Sequence, residues 1–123
     1  ENAGAQRSIG ELNEVVRKIA LADKVDESRE FAARIQSSTH ELAAKSAGRH
    51  MRNRGVKKAP FVVLIGAEMP SVLTEIGFLT NPREESMLGK SEHRQKVADA
   101  LFKGIVQYGQ SLSHFRVARR TDD

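Results

Sequence analysis

The sequence predicts an α/β fold in which about two strands are covered by three or four helices. Three observations favour it. Stretches with apolar side chains at helical spacing lie towards both ends of the 123-residue chain. Two short apolar runs, 61–65 and 71–76, lie between them. With 39% hydrophobic residues, the chain has enough apolar side chains for one core.

Two helices are predicted before the first apolar run. Ser8-Ile9-Gly10-Glu11 has capping-box spacing, which predicts a helix start near Ser8. The polar stretch 23–28 interrupts the apolar period, so we expect this helix to end there. A second helix is predicted from Phe31 to about Ala47, followed by a loop. The first helix presents apolar positions at intervals of three and four: Leu12, Val15, Val16, Ile19 and Ala20.

The two apolar runs are predicted strands. Residues 61–65 are apolar and mostly β-branched and lie between Pro60 and Gly66, which is typical of a strand buried on both faces. Residues 71–76 end at Gly77 and form the second predicted strand. Strands of this kind need helices to cover them.

The C-terminal third predicts a short capped helix and a long one. Asn81 precedes Pro82, and an acid follows at the third helical position, so we predict that Asn81 is an N-cap. Ser91 is predicted to cap the last helix, and 113–123 is predicted to be a poorly ordered basic tail. The last helix presents an apolar face: Val97, Leu101, Ile105 and Tyr108.

Composition excludes several classes of site and partner. The chain has no cysteine, so disulfides, thiolate zinc sites and cysteine nucleophiles are excluded. The net charge of +4 favours anionic partners, but no aromatic residue interleaves the basic cluster 49–58, and we predict no nucleic-acid partner. No apolar stretch is long enough to cross a bilayer, so no membrane span is predicted.

Glu75 is the residue of the predicted strands that asks for a functional explanation. It lies between Leu73 and Ile76, where a buried carboxylate loses hydration unless a partner or a metal replaces it. Ligands of open α/β sheets bind at the carboxyl ends of the strands, where this side chain is expected. The alternative is an edge-strand glutamate that reaches water.

The segment 69–85, Met-Pro-Ser-Val-Leu-Thr-Glu-Ile-Gly-Phe-Leu-Thr-Asn-Pro-Arg-Glu-Glu, resembles the C-terminal motif of the zinc-dependent N-acetylmuramoyl-L-alanine amidases of the amidase-3 type. The flanking stretches 54–57, 61–64 and 97–108 are similar to elements of the same family. The resemblance covers about residues 1 to 112 and implies the helix-rich C-terminal half of the family's mixed-sheet catalytic domain.

The resemblance also implies a reaction and a role for Glu75. Such enzymes hydrolyse the amide between N-acetylmuramic acid and the L-alanine of the stem peptide in peptidoglycan. Their zinc is held by two histidines and a glutamate, and a second, catalytic glutamate handles the proton of the attacking water. Glu75 matches that catalytic glutamate. The substrate implies a location in the periplasm or cell envelope.

The zinc ligands of the family belong to its N-terminal half and have no counterpart in this chain. His40 and His50 are ten residues apart, about 15 Å along a helix, and His93 and His114 lie elsewhere. We therefore expect zinc in an intact parent enzyme, with none bound to this chain and no metal ligand within it.

These observations favour a fragment of a larger amidase that starts mid-protein and is inactive alone. Its open sheet edge predicts self-association, or helices packed over the gap. Two alternatives stay open. One is a helical protein-interaction module that uses the apolar faces of 12–20 and 31–47, and the other is a nucleic-acid binder, which we rank third.

Overall fold

The computed structural model describes residues 2–46 and 53–120, with side chains described over 4–45 and 53–112. Within these ranges the chain forms α1 (Asn2–Ser46), a 3₁₀ turn (Val62–Leu64), α2 (Pro82–Gly89) and α3 (Ser91–Arg120). α1 packs against α3, and α2 packs against the start of α3. None of these helices carries an apolar stretch long enough to span a membrane.

The core lies between the second half of α1 and the first half of α3. The two helices run antiparallel, since Ile35 lies against Gly104 while Ser38, further along α1, donates a hydrogen bond to the carbonyl oxygen of Ala100, which comes earlier in α3. Because Gly104 has no side chain, the helices approach closely there: a Cβ at this position would lie 2.8 Å from the Ile35 Cα. The buried side chains of this core are Ile35, Ser38, Val97, Ala100 and Tyr108.

Two contacts flank this core. The rings of Phe31 and Tyr108 stack with centroids 4.7 Å apart. At the other end of the contact, Lys103 Nζ donates to Glu41 Oε2 at 2.7 Å, and both side chains are about half exposed. The flanking contacts join residues 62 or more positions apart and so fix the register of α1 on α3.

The predicted α/β fold with about two strands is wrong, because the described residues contain helices and no strand. Residues 61–65 instead form a 3₁₀ turn, with Leu64 N donating to Phe61 O at 3.0 Å and Ile65 N to Val62 O at 3.2 Å. Residues 71–76 have no regular secondary structure and form no strand pairing with the rest of the described chain. An apolar β-branched run becomes a strand only when a neighbouring strand takes up its backbone hydrogen bonds, and two runs alone rarely suffice. The open sheet edge that predicted self-association is therefore absent from the described residues.

The predicted break between two N-terminal helices is also wrong, since α1 is continuous from Asn2 to Ser46. The polar stretch 23–28 stays helical because its charges pair along the helix surface: Lys24 with Glu27 at 3.1 Å and Arg29 with Asp26 at 3.8 Å. Ser8 is no cap either. Its hydroxyl donates to Gly4 O, 3.1 Å away, inside the helix.

The predicted N-cap at Asn81 is confirmed, with Pro82 as the first residue of α2. The long C-terminal helix is confirmed as α3, but the predicted cap at Ser91 is wrong, because Ser91 is the first residue of the helix itself. Ala47, the loop after it and His50 lie outside the described residues. The helical backbone of α3 continues to Arg120, and the domain boundary at 112 stays a prediction.

Candidate functional site

The candidate site lies in residues 53–81, which connect α1 to α2 and have no regular structure beyond the 3₁₀ turn. Two side-chain hydrogen bonds tie this segment to α1. Asn53 Oδ1 accepts a hydrogen bond from Gln36 Nε2 of α1 at 2.7 Å. The same oxygen also accepts from Gly55 N, within the segment, at 2.8 Å. Further along, Ser71 N donates to Ser28 Oγ at 3.0 Å. The segment is thus fixed against the helix at two points.

A third attachment joins the end of the segment to the first turn of α2 through hydrogen bonds. Asn81 Oδ1 accepts from Arg83 N at 3.0 Å and from Glu84 N at 3.3 Å, which satisfies two amides of the first helical turn. The Glu84 carboxylate reaches back past the cap and accepts from Phe78 N at 2.5 Å. This reciprocal arrangement resembles a capping box with a longer reach.

Gly77 is the position in this turn where an added side chain would be crowded. Its φ is 158°, and a Cβ there would lie 3.2 Å from Leu88 Cδ1 and 3.3 Å from Glu84 Oε2. The glycine therefore lets residues 77 and 78 lie against α2, so that the Phe78 amide reaches the Glu84 carboxylate. Local hydrogen bonding explains why these residue types occur at these spacings.

Glu75 lies between two of these attachments, four residues after Ser71 and three before Phe78. Its side chain is exposed. None of the described groups forms a hydrogen bond or an ion pair with its carboxylate, and its neighbours Leu73 and Ile76 are about half exposed. The expected burial at the end of a strand is wrong. The structure instead presents a carboxylate to solvent from a segment that is fixed on both sides.

An open groove of about 420 Å³ lies beside this segment. The Arg54 guanidinium carbon lies 4.4 Å from the centre of the Phe78 ring, a cation–π contact that joins the beginning of the segment to its end. Sequence reasoning missed this pairing: Arg54 stood out as part of a basic cluster, and nothing in the spacing links it to Phe78. Glu75 is not among the residues that line the groove: Arg54, Phe78, Thr80, Asn81 and Pro82.

The described residues do not fit a zinc ion. No three histidine, aspartate or glutamate side chains among them come close enough together to hold a metal. His40 is half-buried on α1, and His93 lies in the first turn of α3. His50 and the side chain of His114 lie outside the described part of the chain.

Two pKa shifts belong to the α1–α3 contact. The hydrogen bond and positive charge of Lys103 hold the pKa of Glu41 below its usual range. Burial, and secondarily the charges of Glu27 and Glu30, raise the pKa of Tyr108. The Tyr108 hydroxyl is buried without a partner among the described groups. Both shifts arise from the packing of α1 against α3.

Comparison with known proteins places this geometry in context. The family model described as N-acetylmuramoyl-L-alanine amidase matches residues 16–107, a range that includes Glu75 and the Asn81 cap. The uncharacterized protein YqiI of Bacillus subtilis is 42% identical over 83 residues, which cover 68% of this chain and 37% of YqiI. No solved structure matches.

Two further relatives have amidase names. N-acetylmuramoyl-L-alanine amidase AmiA of Escherichia coli is 45% identical over 58 residues, 47% of this chain and 20% of AmiA. The probable cell wall amidase LytH of Staphylococcus epidermidis is 39% identical over 61 residues, 50% of this chain and 21% of LytH. The chain thus spans well under half the length of the curated relatives that it matches.

Proposed function

This chain belongs to the N-acetylmuramoyl-L-alanine amidase family, and on that premise we propose that it is the part of a peptidoglycan amidase that carries the catalytic glutamate, Glu75. The observation that supports this role is the free carboxylate of Glu75, held in solvent between the attachments at Ser71 and Phe78. A group that moves protons must be accessible and must keep its position during the reaction.

The proposed reaction is hydrolysis of the amide between the lactyl group of N-acetylmuramic acid and L-alanine. Glu75 takes a proton from the attacking water as the oxygen bonds to the carbonyl carbon. The carbon–nitrogen bond then breaks, and Glu75 returns a proton to the departing amine, leaving a carboxylate on the lactyl group. A carboxylate suits both steps because the oxygen that accepts a proton from the water can then donate it to the amine.

We propose that zinc is bound by the intact enzyme and not by this chain alone. When bound, it would polarise the scissile carbonyl. Its ligands would have to come from outside the described residues, which provide no three-ligand cluster. This chain by itself is therefore proposed to be inactive.

The substrate suggests where the enzyme acts. Peptidoglycan lies in the cell envelope, so we place the intact protein in the envelope or periplasm. The net charge of +4 is compatible with an anionic envelope polymer as the binding partner.

Stem-peptide release from purified peptidoglycan tests the proposal, with the intact protein and added zinc. Glu75→Gln removes the proton acceptor and keeps the size of the side chain, so release should fall by about 10²-fold or more. Glu68→Gln is the matched control, because Glu68 is also an exposed glutamate of the 53–81 segment, and it should keep full activity.

Thermal melting of the same variants separates chemistry from folding. Both should melt at the wild-type temperature, because neither carboxylate forms a hydrogen bond or an ion pair with a described group. Activity of Glu75→Gln equal to that of Glu68→Gln would remove Glu75 from the mechanism. No release by the wild-type protein would remove the amidase activity itself.

A further inference from the structure

Arg54 carries a positive charge that none of the described residues neutralises. Its guanidinium carbon lies 4.4 Å from the centre of the Phe78 ring, and no described group forms an ion pair or a hydrogen bond with the guanidinium. Contact with a ring gives the N–H groups of a guanidinium no acceptor, and arginine stays charged at any physiological pH. The charge and the N–H donors of Arg54 are therefore available to a ligand.

The backbone on both sides of Arg54 is held in place. Asn53 Oδ1 accepts from Gly55 N, so one hydrogen bond closes across Arg54, and it also accepts from Gln36 Nε2, which joins this turn to α1. Gly55 completes the turn with a φ of 69°, a conformation that residues with a side chain rarely adopt. Together with the ring contact, this turn orients Arg54 before a ligand arrives, which lowers the entropy cost of binding.

The groove beside Arg54 has hydrogen-bond donors and no carboxylate among its described lining residues. Its volume of about 420 Å³ is within the range of small-molecule sites. Asn81 Oδ1 already accepts from two amides of α2, so the remaining polar group of this side chain is the Nδ2 donor. The Thr80 hydroxyl has no partner among the described groups. One fixed cation beside two uncharged donors is suited to a single anionic group.

A carboxylate fits this groove better than a phosphate does. The planar guanidinium can donate two parallel N–H bonds to the two oxygens of a carboxylate. A phosphate monoester carries more than one negative charge near neutral pH, whereas Arg54 is the one cation among the described residues that line the groove. The charge of the groove therefore matches a monoanion, such as the carboxylate of a peptide.

The groove is within reach of Glu75 for a bound stem peptide. Phe78 follows Glu75 by three residues, so their Cα atoms are at most about 11 Å apart. A free carboxylate on the residue after the L-alanine lies two residues from the scissile amide, at most about 7 Å along an extended peptide. Because the two spans are comparable, a peptide cut at Glu75 can place that carboxylate at Arg54.

We infer that Arg54 binds the free carboxylate of the stem-peptide residue that follows the L-alanine, and so positions the scissile amide at Glu75. The inference rests on the proposed amidase function, because it names the part of the substrate that the groove receives. Arg54 binds substrate and transfers no proton.

Binding of a short substrate mimic tests the inference without requiring catalysis. The probe is N-acetyl-L-alanyl-L-alanine, whose acetyl group replaces the lactyl group, and the reference compound is the same dipeptide with a C-terminal amide. Each is titrated into the intact protein with Glu75→Gln, and binding is followed by the nuclear magnetic resonance signals of the dipeptide. The acid should bind about tenfold more tightly than the amide, because the amide cannot form the charge-assisted pair with Arg54.

Three arginine variants in the same background assign this preference. Arg54→Gln should remove it, so that the acid and the amide bind equally. Arg83→Gln is the matched control and should keep the preference, because Arg83 is an exposed arginine near the same turn that does not line the groove. Arg54→Lys keeps the charge and loses the planar fork, so its preference should be intermediate.

The same titrations contain the results that would overturn the inference. A purely structural role of Arg54 on the Phe78 ring would make Arg54→Gln weaken the acid and the amide alike. An acid from elsewhere in the intact protein that occupies Arg54 would leave no preference to lose. Inorganic phosphate that displaces the probe as well as the dipeptide acid itself would replace the peptide carboxylate by a phosphate.

Kinetics of the zinc-loaded intact protein separate this inference from the proposed function. With N-acetylmuramoyl-L-alanyl-L-alanine as substrate, Arg54→Gln should raise KM about tenfold at nearly constant kcat, whereas Glu75→Gln lowers kcat. An unchanged KM in Arg54→Gln would overturn the inference and leave the amidase function intact. No release by the wild type would remove the amidase function, and the titrations would still decide whether Arg54 binds the carboxylate.

Discussion

Ile35 and Val63 are both β-branched apolar residues of this chain, yet Ile35 is 5% exposed and Val63 is 74% exposed. Ile35 lies on α1 where α3 approaches closely, so α3 covers its side chain. Val63 lies in the 53–81 segment, whose backbone turns without a neighbouring layer. Burial in this molecule thus depends on a partner element, and apolar character alone does not bring it about.

The contrast extends to the whole of the two regions. The α1–α3 pair is held by a buried apolar contact, whereas the 53–81 segment is held by three hydrogen bonds. Asn53 accepts from Gln36 at its start, and the amides of Ser71 and Phe78 donate to Ser28 and Glu84 further along. The first region contains the buried side chains of the described residues, and the second presents Glu75 to solvent. Changes in one should therefore leave the other largely intact.

Among the substitutions that separate the two regions, Gly104→Ala is expected to have the largest effect on the free energy of unfolding. The new Cβ would lie 2.8 Å from Ile35 Cα and 3.2 Å from Arg34 O, so the helices must separate. We expect a loss of about 1–3 kcal/mol in the free energy of unfolding, measured by chemical denaturation. Gly109→Ala is the control, since its Cβ would meet no atom within 4 Å. Equal stability of the two variants would show that the close approach is not needed.

A smaller effect, confined to the other region, is expected from Asn81→Ala. The amides of Arg83 and Glu84 lose their acceptor, which should cost about 1 kcal/mol of local stability in α2. Hydrogen exchange at these two amides should accelerate about fivefold, with unfolding of the α1–α3 pair unchanged. Asn81→Asp keeps the acceptor oxygen and should exchange like the wild type; faster exchange in Asn81→Asp as well would count against the cap as the cause.

The smallest effect is expected from the Glu41–Lys103 pair. Lys103 lowers the pKa of Glu41 in the folded state, so the stabilisation is present above about pH 4, where the unfolded side chain ionises, and is lost as the pH falls through the lower folded value. The difference in melting temperature between wild type and Glu41→Gln should be small at neutral pH and vanish in acid. Added salt should reduce it, because both groups are exposed. A difference that grows in acid would contradict this assignment.

Local sequence patterns predicted the elements in which hydrogen bonds join residues only a few positions apart. The Asn81 cap is one example, since Asn-Pro followed by Glu84 specifies a helix start through contacts over two or three residues. The helical period of 97–108 is another. The break at 23–28 was predicted wrongly because polarity was taken for a helix end, whereas ion pairs along the helix accommodate the same residues.

The sequence gives Glu75 as the candidate catalytic residue, and this role stays a prediction, whereas the strand expected around it is wrong. The motif 69–85 pointed to Glu75, and the match of the family model to residues 16–107 supports that resemblance. The strand that was to bury Glu75 is absent from the described residues, and the Arg54–Phe78 contact had no signal in the spacing. Both depend on which segments meet across more than twenty residues.

The sequence by itself determined the Asn81 cap and the last helix, because both depend on residue types a few positions apart. Its resemblance to a known family made Glu75 the candidate catalytic carboxylate. The tertiary structure alone decided that residues 61–65 turn instead of pairing, that α1 and α3 approach closely at Gly104 and that Glu75 faces solvent. The physical reason is that strand pairing and helix contact need a distant partner. Such a contact stabilises the fold only when the two distant segments have come together.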